Sequence, residues 1–233
     1  MKAQGLAGKP VADIRIDGAG KKVTRSDNCR VSDLSVSSDN LTFTYEAKSL
    51  PYPIDTSYYD NEKHTQADAL SVIPFMDEMN YEGLYVSGLS DGYYGLTIGG
   101  EFIGRFTARE LERGINMALL QNTPQYKQAM KIRQMNEERW LKERKMREFY
   151  WVEYNLMRKT GMLWACDEAA VDTLRKYRPH DIFLQWNGDL WLQYMHKGIR
   201  EDCVNEQQNL VDRIYEQNKP IPLRIEIKKF TDL

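Results

Sequence analysis

The sequence predicts an α+β protein: a small antiparallel β-sheet or sandwich part, then a helical region with two long helices, and a final edge strand. Three observations predict this class. Short segments of the first half alternate apolar and polar residues, which is typical of strands with one solvated face. Two later stretches carry apolar residues at helical spacing. The last residues, from Leu223 to Lys228, alternate again.

These patterns divide the chain near residue 106. Residues 1–106 form the antiparallel β part, interrupted by an irregular excursion over residues 50–80, where prolines punctuate the chain and periodicity is lost. Residues 107–233 form a mainly helical part, which we expect to be one packed unit. A connection as long as this excursion is either functional or an insertion that packs on the core.

Strands and their turns are predicted from alternation. Segments 11–17 (VADIRID) and 41–47 (LTFTYEA) each place apolar residues on one face, and another strand begins at residue 84. Gly99 and Gly100 supply the two-residue turn of a primed hairpin, because glycine accepts the positive φ angles that such a turn requires.

Helix starts are marked by capping residues. Thr107 and Glu110 form a capping box, in which each side chain satisfies a free backbone amide of the other. Thr123 and Pro124 place an N-cap and a first-turn proline at the start of a helix of roughly 34 residues. A last long helix is expected from about residue 190 to about residue 218.

Bulk composition is that of an ordinary globular protein. The 233 residues are 42% hydrophobic and 28% charged, and the formal net charge of −2 gives no reason to expect nucleic acid as a partner. No apolar run approaches the roughly 18 residues that cross a bilayer. The N-terminal residues lack the apolar core of a secretory signal, so the sequence as written stays where it is synthesised.

The cysteines do not indicate a metal site. Cys29, Cys166 and Cys203 are widely spaced and form no CxxC pair, which argues against structural zinc. We expect neither a metal nor a cofactor. Reduced thiols are the first interpretation, and a single disulfide stays open as the alternative.

Motifs for covalent catalysis are missing from the sequence. A serine nucleophile needs a base within hydrogen-bonding reach, and His64, His180 and His196 are the only imidazoles. No Gly-Asp-Ser, Gly-x-Ser-x-Gly, HExxH or glycine-rich phosphate motif occurs. We therefore name no catalytic residue. An enzyme with an unrecognised site would depend on His180 or Asp181, and that alternative stays open.

Aromatic residues are the strongest candidates for a binding site. Trp186, Trp191 and Tyr194 lie close together in the sequence, and exposed rings can stack on sugars while their polar tips fix orientation. We take these three as candidate substrate-binding residues of a carbohydrate-binding module. The alternative is that the rings pack between helices and sheet.

Residues 84–129 resemble the C-terminal region of large SGNH/GDSL hydrolases, a family of lipases, acylhydrolases and other esterases. Gly114-Ile115-Asn116 and Thr123-Pro124-Gln125-Tyr126 carry the resemblance, with Ile98-Gly99-Gly100 in place of an Ile-Asp-Gly-type turn. It extends, less specifically, over nearly the whole chain. The Gly-Asp-Ser and Asp-x-x-His blocks of that family lie upstream of the matching part and have no counterpart here.

The resemblance implies a non-catalytic accessory portion, inactive alone, that packs on an SGNH catalytic domain, upstream or on a separate chain, and supports it. Carbohydrate binding through exposed aromatics is the alternative function, with a carbohydrate as the alternative partner. Proteins of the resembled family are often exported, which leaves localisation open.

Overall fold

The computed structural model describes residues 8–57 and 64–230. Part of the predicted excursion, residues 58–63, and the resemblance at residues 2–6 lie outside these ranges. The chain forms two compact units. We call Met1–Ile132 with Gln217–Leu233 the β unit, and Arg133–Glu216 the helical unit.

The β unit holds the strands and two short helices. The strands in the described ranges are β1 (Ala12–Asp17), β2 (Lys22–Asp27), β3 (Cys29–Val36), β4 (Asn40–Ala47), β5 (Glu82–Ser87), β6 (Tyr93–Ile98), β7 (Glu101–Thr107), β8 (Ile115–Asn116) and β9 (Leu223–Lys229). The helices are α1 (Phe75–Glu78) and α2 (Ala108–Arg113), with 3₁₀ turns at Gln66–Ser71 and Met117–Leu119.

Helix α3 (Pro124–Val152) begins in the β unit and continues in the helical unit, where a π-helical turn (Glu153–Met157) extends it. The other helices there are α4 (Glu168–Tyr177), α5 (Ile182–Tyr194) and α6 (Lys197–Gln217), with a 3₁₀ turn at Arg178–His180.

Two sheets build the β unit. One has four strands in the order β2-β1-β5-β8, and the other has five in the order β3-β4-β9-β6-β7. Both sheets contribute to one apolar cluster, which includes Ile14, Leu84, Phe43, Leu96 and Ile225. The predicted fold class, α+β with antiparallel sheets, long helices and a closing strand, is confirmed.

The closing strand does not lie where its sequence suggested. Strand β9 pairs with β4 on one side and β6 on the other, both antiparallel, so it occupies the centre of the five-stranded sheet. The predicted edge position is corrected. Ile225 and Ile227 are fully buried, while the alternating Arg224, Glu226 and Lys228 are polar because they belong to the other face of the sheet.

The return of β9 also explains where the compact units divide. They separate at residues 132/133 and 216/217, whereas the sequence suggested a division at 106/107. Residues beyond 217 belong with the β unit because their backbone completes the five-stranded sheet. One pairing departs from the expected antiparallel pattern, since β1 and β5 run parallel.

Local turn and cap predictions are confirmed. Ile98 pairs with Glu101 across a turn in which Gly99 and Gly100 have φ of 59° and 85°, both in the region that glycine tolerates best. The Thr107 side chain accepts a hydrogen bond from the Glu110 backbone N–H, and the Glu110 carboxylate accepts one from the Thr107 N–H.

A buried carboxyl lies at the centre of the β unit. Glu82, at the start of β5, is fully buried, and its Oε1 accepts a hydrogen bond of 2.8 Å from the Tyr45 hydroxyl. The Gln125 amide approaches both carboxyl oxygens at 3.4 Å, and the Glu82 N–H donates to Asn116 Oδ1 at 2.9 Å. Burial raises the pKa of Glu82 to about 7, although the hydrogen bonds from Tyr45 and Gln125 act in the opposite direction.

This pKa predicts a pH-dependent contribution to stability. Because the pKa of Glu82 is about 7 when folded and 4.5 in its ordinary state, the folded chain holds a proton that the unfolded chain releases. The contribution of Glu82 therefore falls as pH rises between these values and is then constant. Between about pH 5 and about pH 8 this effect should lower the free energy of unfolding by about 2 kcal/mol. Replacing Glu82 with glutamine, which cannot ionise, should abolish that decrease.

The measurement is urea unfolding of the parent chain and Glu82→Gln at the two pH values. We expect the stability of the variant to rise relative to the parent at the higher pH. An equal pH dependence in both proteins would contradict a raised pKa. A Tyr45→Phe variant, which keeps Glu82 but loses a hydrogen bond, should retain the pH dependence.

A second buried carboxylate organises the helical unit. Glu153, in the π-helical turn, is buried, and its Oε1 accepts a 2.9 Å hydrogen bond from the indole N–H of the fully buried Trp191. Its Oε2 accepts the backbone N–H of Trp164 at 3.0 Å. The surrounding core contains Phe149, Leu174 and other apolar side chains.

The predicted last helix is divided in two. Helix α5 ends at Tyr194 and α6 begins at Lys197, whereas apolar residues at helical spacing had suggested one helix from about residue 190 to about residue 218. The Arg200 guanidinium donates to the carbonyl oxygens of Tyr194 and Met195 at 2.6 and 2.7 Å. These bonds satisfy carbonyls that a helix end leaves without partners.

Removal of the Glu153 carboxylate should destabilise the helical unit. Glu153→Ala leaves the Trp191 indole N–H and the Trp164 amide without their acceptor, which should lower the free energy of unfolding by about 3 kcal/mol. Glu153→Gln keeps one acceptor oxygen and should lose less. Chemical unfolding measured by circular dichroism checks both. An alanine variant as stable as the parent would contradict this role.

Candidate functional site

A groove in the β unit is the most apolar candidate for ligand binding among the described residues. It has a volume of about 730 Å³ and lies in the predicted excursion. Cavities of roughly 300–1,000 Å³ with mostly apolar walls are typical small-molecule sites. We call it the apolar groove; its lining residues are Tyr52, Ile54, Thr65, Gln66, Ala69, Leu70, Ile73, Phe75 and Met79.

The side-chain amides of Asn80 and Asn116 hold residues that form or adjoin the apolar groove. Asn80 is almost fully buried; its Oδ1 accepts from the Tyr52 N–H at 2.7 Å, and its Nδ2 donates to the Tyr52 carbonyl at 2.8 Å. This pair of bonds mimics a strand partner for an irregular segment. Asn116 donates to the carbonyl of Met76 at 3.1 Å, which ties α1 to the short strand β8.

Further hydrogen bonds hold the segment around Ile54. The Tyr126 hydroxyl donates to the carbonyl of Ile54, and the Asp55 N–H donates to Gln66 Oε1 at 3.2 Å. Thr65 caps the 3₁₀ turn and exchanges hydrogen bonds with Asp68. Hydrogen bonds therefore hold the described residues around the groove, although periodic secondary structure is sparse there.

The inner surface of the apolar groove is chemically simple. The rings of Tyr52 and Phe75 meet edge to face at a centroid distance of 5.7 Å. Ile73 is 53% exposed at the rim, and its neighbour Val72, which does not line the groove, is 81% exposed. With Thr65 and Gln66 as its polar residues, the groove suits an apolar or aromatic molecule that carries few polar groups.

The predicted binding residues occupy three different environments on α5. Trp186 is 68% exposed and meets Phe183 edge to face at 5.6 Å. Trp191 is fully buried and offers no ring face to a ligand. Tyr194 is partly buried, and burial, with the neighbouring Cys203, raises its pKa to about 12. A binding role for these residues stays a prediction, and the structure does not join them into one exposed surface.

No catalytic pair is formed by the histidines that the sequence offered at positions 180 and 196. Within residues 8–57 and 64–230, neither ring is hydrogen-bonded to a serine, threonine or cysteine side chain. Asp181 is the N-cap of α5, and its carboxylate accepts the N–H groups of Phe183 and Leu184 at 2.8 and 3.2 Å. In this part of the chain the carboxylate serves the helix start.

Features of a metal site or of a membrane span are absent from the described residues. Among the described residues, no group of three or more His, Cys, Asp or Glu side chains could hold a metal ion. The helices of those ranges include none that is both long and apolar enough to cross a bilayer.

Sequence reasoning identified the location of the apolar groove only as an irregular connection. Its apolar side chains follow neither a helical nor an alternating pattern, so periodicity carried no signal. The segment between the prolines at 53 and 74 is no richer in apolar residues than the chain as a whole, so composition carried no signal either. Asn80 could not have been chosen from sequence, because its partner at residue 52 is fixed only by the fold.

Known proteins resemble both the helical unit and the chain as a whole. Residues 130–219, which include the helical unit, match the family described as the diltiazem deacetylase C-terminal helical domain. A solved structure described as BT4096, a gut microbial diltiazem-metabolizing enzyme, matches with a TM-score of 0.90 and 37% sequence identity. That match covers 98% of this chain and 52% of the other chain. No curated protein matches significantly.

These findings correct the resemblance to SGNH/GDSL hydrolases. The interpretation as an accessory portion of such an esterase, with an SGNH catalytic domain as partner, was wrong, and the carbohydrate-binding alternative is unsupported. The quoted motifs are structural: Gly99 and Gly100 form a hairpin turn, and Pro124 begins α3 after Thr123. The chain is similar over nearly its whole length to a diltiazem-metabolizing enzyme and spans about half the length of that relative.

Proposed function

We propose that this chain acts in the deacetylation of small acetylated compounds and that its apolar groove binds the apolar part of the substrate. The observation that carries this proposal is the 37% identity, over 98% of the chain, with a diltiazem-metabolizing enzyme. The match of the helical unit to a deacetylase domain supports the same class.

The shape and construction of the apolar groove support a binding role. Its volume of about 730 Å³ suits a drug-sized molecule. The hydrogen bonds that Asn80 makes to Tyr52, together with that from Tyr126 to Ile54, hold the walls in place before a ligand arrives. A site whose walls are already ordered loses less conformational entropy on binding.

Substrate binding, and not bond cleavage, is what we assign to these residues. The described part of the chain shows no nucleophile paired with His180 or His196, and about half of the solved relative lies outside the match. The attacking group of a deacetylation is therefore left unassigned. The groove would hold the substrate while its acetyl group stays accessible at the rim.

Diltiazem binding to the purified chain, measured by isothermal titration calorimetry, tests the proposal. Ile73→Asp places a carboxylate at the rim of the groove and should weaken binding by at least about tenfold, because an apolar ligand would desolvate the charge. Val72→Asp is the matched control: it adds the same charge one residue away, at a position that does not line the groove, and should bind like the parent.

Release of acetate is measured in parallel with binding. Binding that Ile73→Asp weakens and Val72→Asp does not, with or without acetate release, supports the assignment of the groove as the binding site. Absence of both binding and acetate release would contradict the proposed function. Equal weakening by Ile73→Asp and Val72→Asp would mean that charge, and not the groove, determines affinity.

A further inference from the structure

A second groove lies within the helical unit and has no part in the proposed function. Its volume is about 620 Å³. Met146, Tyr150 and Trp164 contribute one group of lining residues, and the 197–205 segment of α6 contributes the other. We call it the Trp164 groove.

Trp164 has a backbone conformation that its side chain does not favour. Its φ is +66°, in the left-handed region, where a bulky residue costs roughly 1–2 kcal/mol. The conformation is fixed by the hydrogen bond from the Trp164 N–H to the buried carboxylate of Glu153. Trp164 is nevertheless 45% exposed, so part of its surface stays open to a ligand.

The indole is held firmly where it borders the groove. Tyr150 and Tyr154 both meet it edge to face at centroid distances of 6.0 Å, and Phe149 lies nearly parallel to it at 6.4 Å. The Arg200 guanidinium lies 5.9 Å from the Trp164 ring centroid and 4.8 Å from that of Phe149. The groove therefore presents an ordered aromatic wall to solvent.

The charges that line the Trp164 groove balance. Lys197 and Glu201 form an ion pair of 3.2 Å, and Arg200 donates to main-chain carbonyls at the end of α5. Asp202 also lines the groove, so its two basic and two acidic residues carry no net formal charge. A charged ligand would gain little from this rim, whereas Asn205 and the polar ends of these side chains can hydrogen-bond to a neutral one.

We propose that the Trp164 groove binds an uncharged planar aromatic small molecule. Its ring packs against Trp164 and Tyr150, and its polar substituents contact the 197–205 segment of α6. The buried carboxylate of Glu153 acts as a positioning residue, because it holds the Trp164 backbone in the conformation that presents the ring. Stacking of this kind adds to what apolar burial alone supplies.

Calorimetric titration of the full chain with 1-naphthol tests this site. Decahydro-1-naphthol, which has the same carbon frame without aromaticity, is the matched ligand. We expect 1-naphthol to bind at least about tenfold more tightly, because only the aromatic ring stacks. 1-Naphthoate and 1-naphthylmethylammonium should bind no more tightly than 1-naphthol.

Trp164→Gly is the main variant, because glycine adopts a φ of +66° without strain while the ring is removed. It should keep the melting temperature close to that of the parent and weaken 1-naphthol binding by at least about tenfold. Tyr150→Ala should weaken binding in the same direction if the glycine variant does not fold. Trp140→Ala removes an exposed tryptophan that does not line the groove and should bind like the parent.

Three results would overturn the proposal. The first is equal affinity for the aromatic and saturated ligands, and the second is unchanged binding in folded Trp164→Gly and Tyr150→Ala. The third is that Ile73→Asp loses 1-naphthol binding while Trp164→Gly keeps it, which would place 1-naphthol in the apolar groove of the β unit. Loss of diltiazem binding has no bearing on this test, since the two grooves are probed by different variants.

Discussion

The buried carboxyl of Glu82 joins parts of the β unit that are distant in sequence. It accepts a hydrogen bond from Tyr45 on the other sheet and lies beside Gln125 in the first turn of α3. The backbone N–H of Glu82 donates a hydrogen bond to Asn116. Because a buried polar group without partners is costly, each of these elements must lie where it can satisfy the others. The Oε1 of Gln125 lacks a donor within the described residues, and a protonated Glu82 would supply one after rotation of the amide.

The apolar groove depends on the same network of side-chain amides. Asn116 accepts from the Glu82 N–H and donates to the carbonyl of Met76, while Asn80 holds Tyr52. A segment without regular secondary structure thereby acquires a fixed shape next to a rigid sheet. The described part of the excursion can thus form a preorganised site, because hydrogen bonds from the side chains of Asn80, Asn116 and Tyr126 stabilise the order of its backbone.

Local signals in the sequence predicted local structure well. The hairpin at Gly99, the capping box at Thr107 and the start of α3 at Pro124 each depend on residues within a few positions of one another. The position of β9 does not depend on nearby residues. It is set by pairing with β4 and β6, which are distant in the sequence. The segment that was predicted to be an edge strand is therefore the central strand of its sheet.

The candidate sites were harder to predict for the same reason. Trp191 and Trp186 looked equivalent in sequence, but only packing decides which indole finds the buried carboxylate of Glu153. Positive φ at Trp164 has no sequence signature, since glycine or asparagine would be expected there. The family resemblance was wrong because the short motifs that carry it specify turns and helix caps, which do not determine a catalytic activity.

If the apolar groove of the β unit binds a ligand, as we propose, methyl NMR should detect the ligand there. Isoleucine methyl groups would be labelled and the chain titrated with diltiazem. We expect shifts at Ile54 and Ile73, which line the groove, while the core residues Ile14 and Ile227 stay unchanged. Shifts confined to residues outside the groove, or none at saturating ligand, would contradict the claim.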